Sequence, residues 1–259
     1  MAEELIRVEG ADALGRVAPL FHRWQEPLVW TALQGRMGQV WRLENAGPAL
    51  CRTGDFLFAS EGGKAMLRAV DRWLDGCFGI LALPQGDENV PGVFGSRARR
   101  TLRYAMQKGG EHFEEKRLQE MSNALPQGLA LCLMNRERYH EALSEEWSRD
   151  FVALFASAED FLTHGLGVVC LHEGRMVGGA SSYCCYDGGI EIEVDTRRDY
   201  RRRGIASACC ARLILECLNR GLYPSWDAAN RASAALAQKL GYREAGAYTA
   251  WYLNETTTE

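Results

Sequence analysis

Residues 194–218 read VDTRRDYRRRGIASACCARLILECL, and the fold is decided by how this stretch divides into the end of a strand, a basic turn and a helix. Ala206, Cys209, Cys210, Leu213, Ile214, Cys217 and Leu218 recur at the spacing of one helical face. That spacing predicts an amphipathic helix opening near Gly204 and stopping at Gly221. A helix start leaves backbone N–H groups without intrahelical partners, and the helix dipole adds positive potential there, so it attracts an anion. Gly204 and Ala206 are small enough to let an anion reach that backbone, and Arg197, Arg198, Arg201, Arg202 and Arg203 crowd the turn before it. A few of these guanidinium groups suffice to hold phosphate oxygens. A solvated basic turn or a nucleic-acid patch is the alternative for the arginine run.

Working outward, IEIEVDT (190–196) reads as the strand entering the turn. Before it, Asp187-Gly188-Gly189 and His172-Glu173-Gly174-Arg175 supply hairpin turns between antiparallel strands. Further upstream lie a strand over Leu129 to Met134 and a helical region from Arg136 to about His164. Downstream, a strand over Leu222 to Ala228 leads to Asn230, a predicted N-cap, then to a helix burying Leu236 and Leu240 and ending at Gly241. Final strands are expected within Tyr242 to Leu253. The turn signals in NALPQG (123–128) place a boundary between an N-terminal α+β domain, 1–125, and a second domain, 126–259. In the first, helical spacing of Leu102 and Tyr104 to Met106 before Gly109 and Gly110 predicts a helix from Ser96 to Lys108. No internal repeat is visible in the sequence.

A chain of 259 residues with 47% hydrophobic composition has room for two modest cores. A net charge of −4 argues against nucleic acid or an anionic membrane as the main partner, because phosphate-backbone binding needs several distributed cations. Nine irregularly spaced cysteines do not resemble a secreted disulfide framework, and MAEELIRVEG lacks the basic and apolar runs of a signal peptide. The expectation is a soluble cytoplasmic protein. The adjacent pairs Cys184/Cys185 and Cys209/Cys210 lack CxxC spacing, so no metal is expected.

Arg201-x-x-Gly204-x-Ala206 between a strand and an amphipathic helix resembles the acyl-CoA pyrophosphate loop of the GNAT superfamily. EIEVDTRRDYRRRGIA and PSWDAANRASAALAQKLGY are similar to a bacterial branch that carries a poorly characterised N-terminal domain before the GNAT domain. The resemblance implies a mixed, mostly antiparallel sheet flanked by helices, an α/β (α+β) fold, preceded by the smaller α+β domain. It implies acetyl-CoA as co-substrate and a primary amine, most simply a small molecule, as acceptor, with the protein a monomer or homodimer. The implied cofactor contacts are Val194, Asp195, Thr196, Arg201, Arg202, Arg203, Gly204, Ile205, Ala206 and Ser207, with Asn230 and Ser233 near the pantetheine.

Val194 matches the backbone donor for the thioester carbonyl. Glu191 and Glu193, two residues apart on one strand face, match the place of a base for the ammonium proton, Glu191 being favoured. Surface carboxylates on a half-exposed strand are the alternative for the pair, and helix capping for Asn230. Many members place a tyrosine, as acid for the thiolate, where this chain has Ala237; Tyr242, Tyr248, Ser233 and water remain as substitutes. The missing tyrosine keeps open a second reading, an acyl-CoA-binding sensor with weak or no turnover.

Overall fold

The computed structural model describes residues 4–44, 46–109 and 113–255. In chain order the elements are β1 (Leu5–Val8), α1 (Ala11–Val17), α2 (Pro27–Leu33), β2 (Gln39–Leu43), β3 (Ala49–Thr53), β4 (Phe56–Ala59), α3 (Lys64–Leu74), β5 (Gly79–Ala82), α4 (Val90–Phe94) and β6 (Ala98–Met106). They continue with α5 (Glu115–Asn123), β7 (Leu129–Leu133), α6 (Arg136–Ser144), α7 (Ala158–His164), β8 (Gly167–His172), β9 (Arg175–Tyr186) and β10 (Gly189–Thr196). The last are α8 (Ile205–Asn219), β11 (Tyr223–Ser225), β12 (Asp227–Ala228), α9 (Arg231–Leu240) and β13 (Glu244–Leu253).

The chain forms two compact units, Met1–Arg103 with Ala247–Glu259, and Tyr104–Gly246. The division therefore falls inside β6 and β13 rather than at the expected 125/126. The physical reason is pairing: Ala250 to Leu253 lie antiparallel to Gly79 to Ala82 in the first unit, whereas Tyr104 and Ala105 pair with Ala228 and Asp227 in the second.

In the first unit the strands run in the order β1-β2-β3-β4-β5-β13-β6. A core of Leu50, Leu57, Met66, Leu67, Val70, Leu81, Phe94 and Leu253 forms between sheet and α3, whose Met66, Leu67, Val70 and Leu74 fall on one face. Ser96 to Lys108 is not a helix: Ala98 to Met106 is β6. Buried Tyr104 and Met106 follow the two-residue period of a strand, and strand pairing outweighs the weak helical spacing of so short an apolar run. Its arginines meet partners along the strand. Arg99 binds Glu255, Arg100 donates to Thr249, and Arg103 stands over the Phe56 ring.

The second unit carries the sheet β11-β10-β9-β8-β7, antiparallel except for the parallel β10–β11 pair. The hairpin at Glu173-Gly174 has two successive left-handed residues, φ 50 and 79, the requirement of a two-residue turn that matches strand twist. The predicted helical region resolves into α6 and α7, capped by Asn135 and Ser157. Helix α8 buries Cys209, Cys210, Leu213, Ile214 and Cys217, as its spacing predicts.

The order strand, two helices, three strands, helix, strand, helix, strand occurs twice, once from β1 to β6 and once from β7 to β13, if the broken pair β11–β12 counts as one strand. In both, three antiparallel pairings precede a parallel one. The sequence hides this repeat because element order and pairing direction recur while the residues themselves do not.

Candidate functional site

In the second unit, β10 ends at Thr196 and eight residues, 197–204, turn into α8. Gly204 is the N-cap of α8 in the left-handed conformation, φ 82, and no side chain caps it. The α8 N–H groups at Ile205, Ala206 and Ser207 thus lie in the turn where an α-helix has no internal acceptor. Helices α6, α7 and α9, in contrast, each take a side-chain oxygen at this place. Arg202 is also left-handed, φ 67, which a non-glycine residue adopts at a cost of order 1–3 kcal/mol when surrounding structure holds it there. Left-handed positions alternating with ordinary ones form the backbone pattern of anion-binding concavities.

The arginines are arranged by this turn. Arg201 Nε donates to the Thr196 carbonyl at 3.0 Å and its Nη2 stands 3.3 Å from Asp195 Oδ1. Asp195 Oδ1 also accepts from Thr196 N–H at 2.6 Å. Arg203 donates to the Asp199 carbonyl at 3.0 Å and lies 4.8 Å from the Tyr200 ring centre. Tyr200, in turn, is tied to β8 by a 2.8 Å hydrogen bond between its hydroxyl and His172 Nδ1. Tyr200 and His172 escaped sequence reasoning because nothing in their spacing joins residues 28 apart. Arg201, Arg202 and Arg203 remain exposed.

Two glycines let the helix start approach the sheet. A Cβ on Gly178 would stand 2.5 Å from Ile205 Cγ2, and one on Gly179 would stand 2.8 Å from the Phe151 ring on the other side. Gly178→Val is expected to lower stability by about 1–3 kcal/mol through overpacking and, if the α8 N-terminus holds an anion, to weaken that binding by displacing Ile205. Thermal unfolding and calorimetry of that variant check both effects; an unchanged melting temperature would refute the packing argument.

Beside the turn the sheet opens. Parallel pairing of β10 with β11 stops at Glu191↔Ser225, and after Trp226 the chain leaves β10 to pair with β6. Among the described residues, Ile192 to Thr196 therefore have β9 on one side and no strand on the other. Arg197 N–H donates to Val177 on β9, so two-residue alternation directs the N–H groups of Asp195 and Glu193 toward β9 and that of Val194 away from it, toward the open edge.

Glu191 lies at the point of separation and is 5% exposed. Its Oε1 accepts the Asp227 backbone N–H at 2.6 Å, while Oε2 is buried without a hydrogen-bond partner among the described residues. Burial pushes its carboxyl pKa up; the Lys108 charge opposes this, the Asp227 carboxylate reinforces it, and hydrogen bonds from Ser225 and the Asp227 backbone oppose it. Glu193 is half-buried and near enough to Cys210 to help burial raise that thiol. The two carboxylates are two residues apart as expected but in different surroundings, and Tyr183 forms a bulge on β9 opposite the Glu191–Ile192 step. Lys108, Ser225 and Asp227 were not legible as partners of Glu191, since only the strand pairing unites them.

Asn230 caps α9, its Oδ1 accepting from Ser233 N–H at 3.0 Å. The Ser233 hydroxyl accepts from the Trp226 indole at 3.1 Å. Asn230→Ala is expected to cost about 1 kcal/mol from the lost cap, a change read from the unfolding midpoint; Asn230→Asp should retain most of it. Ala237 is fully buried. Tyr242 is buried, donates to the Pro224 carbonyl at 2.5 Å, and has its hydroxyl pKa raised well above the ordinary value, chiefly by burial. Its proton is thus committed. Phe151, Phe155 and Phe161 are core residues, leaving Trp147 as the half-exposed aromatic of that region.

All nine cysteines are free, and burial raises Cys170 to about 11 and Cys217 to about 12, which disfavours the reactive thiolate. Among the described residues no group of three His, Cys, Asp or Glu side chains is placed to hold a metal ion, and no helix is long and apolar enough to cross a membrane.

The equivalent junction of the first unit is built differently. Between β4 and α3 stand only Ser60, Glu61, Gly62 and Gly63. A Cβ on Gly62 would lie 2.5 Å from the Gln85 carbonyl and one on Gly86 would lie 2.6 Å from the Gly62 carbonyl, so the two backbones touch. Asn89 closes the contact with a 3.0 Å hydrogen bond to Gly62 O.

The site is thus a strand–basic turn–helix junction beside a parted pair of parallel strands. The chain belongs to the GNAT acetyltransferase family, whose model matches residues 18–251. That match takes in most of the first unit, correcting the expectation of a separate domain placed before the GNAT region. Over 132 residues the chain is 30% identical to YdfB of Bacillus subtilis strain 168, an uncharacterized N-acetyltransferase. This covers 49% of the chain and 49% of the relative, so the match spans about half the length of that curated protein. A GCN5-related N-acetyltransferase-like protein from Streptococcus suis is 41% identical, with a TM-score of 0.86 over 94% of this chain and 99% of that one. A tandem GNAT protein from the clavulanic acid biosynthesis pathway shares the fold at 13% identity, with a TM-score of 0.58 over 98% of this chain and 99% of its own.

Proposed function

We propose that the protein is an acetyl-CoA-dependent N-acetyltransferase that acetylates a primary amine of a small molecule by direct attack. The observation that carries this reading is the uncapped α8 N-terminus at Gly204, faced by a turn holding Arg201, Arg202 and Arg203. Unpartnered N–H groups and exposed guanidinium groups fit a pyrophosphate. In this reading Ile205, Ala206 and Ser207 bind through the backbone, and Asp195 and Thr196 hold Arg201 in place. Asn230 and Ser233, already engaged as cap and indole acceptor, border the pantetheine with their remaining capacity.

Acetyl-CoA supplies the activated acyl group as a thioester. Val194 N–H, directed to the open strand edge, suits the role of donor to the developing oxyanion. Glu191 takes the proton of the incoming ammonium, directly or through water, and Glu193 helps attract the cation. A buried carboxyl with a raised pKa takes up a proton more readily than an ordinary one, which suits a base working near neutral pH. With Ala237 in place of a hydroxyl and Tyr242 committed to Pro224, the thiolate departs unaided or is protonated by water. The same observation favours the second reading, an acyl-CoA sensor with little turnover. Nine free thiols fit a reducing cytoplasm, with the protein acting as a monomer or homodimer.

Calorimetric titration with acetyl-CoA and with CoA tests the cofactor site, and an amine library screened for thiol release tests turnover. One equivalent per chain is expected, because the Gly62–Gly86 contact fills the matching junction in the first unit. Two equivalents would overturn the assignment of a single site. Binding without thiol release for any amine would favour the sensor, and no binding would reject both readings.

A further inference from the structure

The cluster around Glu191 contains a cation that its own strand does not provide. Lys108, just beyond the end of β6, places Nζ 2.6 Å from Ser225 Oγ and 3.3 Å from the Trp226 carbonyl, although Ser225 is 117 residues away. Ser225 is the cross-strand partner of Glu191, and its hydroxyl helps hold the Glu191 carboxyl pKa down. The Asp227 backbone binds Glu191 Oε1, which leaves Oε2 as the open oxygen. The groups that face this carboxyl group are Lys108, Ser225 on β11, Asp227 on β12, Tyr242 beyond α9 and Cys184 on β9. Lys108 is the cation among them; Asp227 is an acid, and Tyr242 and Cys184 are neutral when protonated.

We propose that Lys108 is a positioning residue for Glu191: its ammonium sets a positive charge beside the buried carboxyl group and, through Ser225, fixes which carboxylate oxygen is left open to a proton. Any catalytic consequence rests on Glu191 serving as the base, but the placement of charge does not. A lysine here opposes both the cost of burial and the repulsion from Asp227, so removing its charge must make the Glu191 proton harder to lose. The sign is definite: the Glu191 midpoint moves up.

The test is a carboxyl titration of the whole chain labelled with ¹³C-glutamate, free of acyl donor and acceptor, with the Glu191 signal assigned by its loss in Glu191→Gln. Lys108→Met is expected to raise the midpoint by about one unit or more, equivalent to a roughly tenfold change in proton affinity. Lys108→Arg should restore it, whereas Lys108→Gln, which keeps a donor for Ser225 without the charge, should leave it raised. Should Lys108→Met fold poorly, Lys108→Gln carries the same expectation. A midpoint common to all variants, or one raised equally in Lys108→Arg, would overturn the proposal. If the midpoint moves as expected yet Glu191→Gln retains the full transfer rate, the base assignment fails while the positioning role stands. If Glu191 is the base, the acidic limb of the rate profile follows the same shift.

Discussion

Gly204→Trp is expected to reduce binding of acetyl-CoA and CoA by at least about 100-fold, which corresponds to about 2.8 kcal/mol. Two effects combine. Gly204 sits at φ 82, where a side chain costs about 1–2 kcal/mol in the backbone alone. The indole also occupies the approach to the N–H groups of Ile205, Ala206 and Ser207, whose availability is the basis of the site. The fold should survive, because a Cβ at 204 has only the Ala124 carbonyl within 4 Å, at 3.9 Å. Calorimetry and thermal unfolding therefore separate the outcomes. Lost binding with a melting temperature lowered by no more than a few degrees supports the site; binding within a few-fold of the parent chain would place the anion elsewhere.

Glu191→Gln is expected to lower the transfer rate by about 10²–10⁴-fold, the usual contribution of a positioned base. The substitution is nearly isosteric, and an amide oxygen still accepts the Asp227 N–H, so the loss should appear without unfolding. Because the folded-state pKa of Glu191 is raised, transfer should increase as pH rises through that value, and the limb should disappear in the variant. Stability carries the opposite sign. The unfolded chain loses this proton at lower pH than the folded one, so the group's contribution declines as pH rises from the ordinary carboxylate range to the raised folded value. Glu191→Gln should remove that decline and be at least as stable as the parent chain above it. Matched pH–rate and pH–melting profiles measure both; an unchanged rate at every pH would remove Glu191 from the chemistry and leave Glu193 or water as the base.

These two variants probe features that were unequally visible beforehand. The turn and helix at 197–219 were legible because every signal there is local: helical spacing from Ala206 to Leu218, glycines at both ends, and charge concentrated in the turn. The cap at Asn230 and the hairpin at Glu173-Gly174 were readable for the same reason, since each depends on residues only a few positions apart. Ser96 to Lys108 failed this kind of reading. Its apolar residues suit a weak helix or a strand, and the decision came from partners at 227–228 and from the returning end of β13.

Local signals along the chain were enough to specify the strand, basic turn and amphipathic helix of 190–219, because each depends only on neighbouring residues. Tertiary structure decided what Glu191 is. Its burial, its bond to Asp227 and its distant lysine exist only where β10 and β11 part, and their effect is electrostatic, acting through space between residues that the chain keeps far apart. Tertiary structure alone also showed that the β1–β6 half repeats the order of the β7–β13 half with a closed junction. Pairing direction and burial are satisfied by many residues, so a fold can recur after every residue that would advertise it has changed.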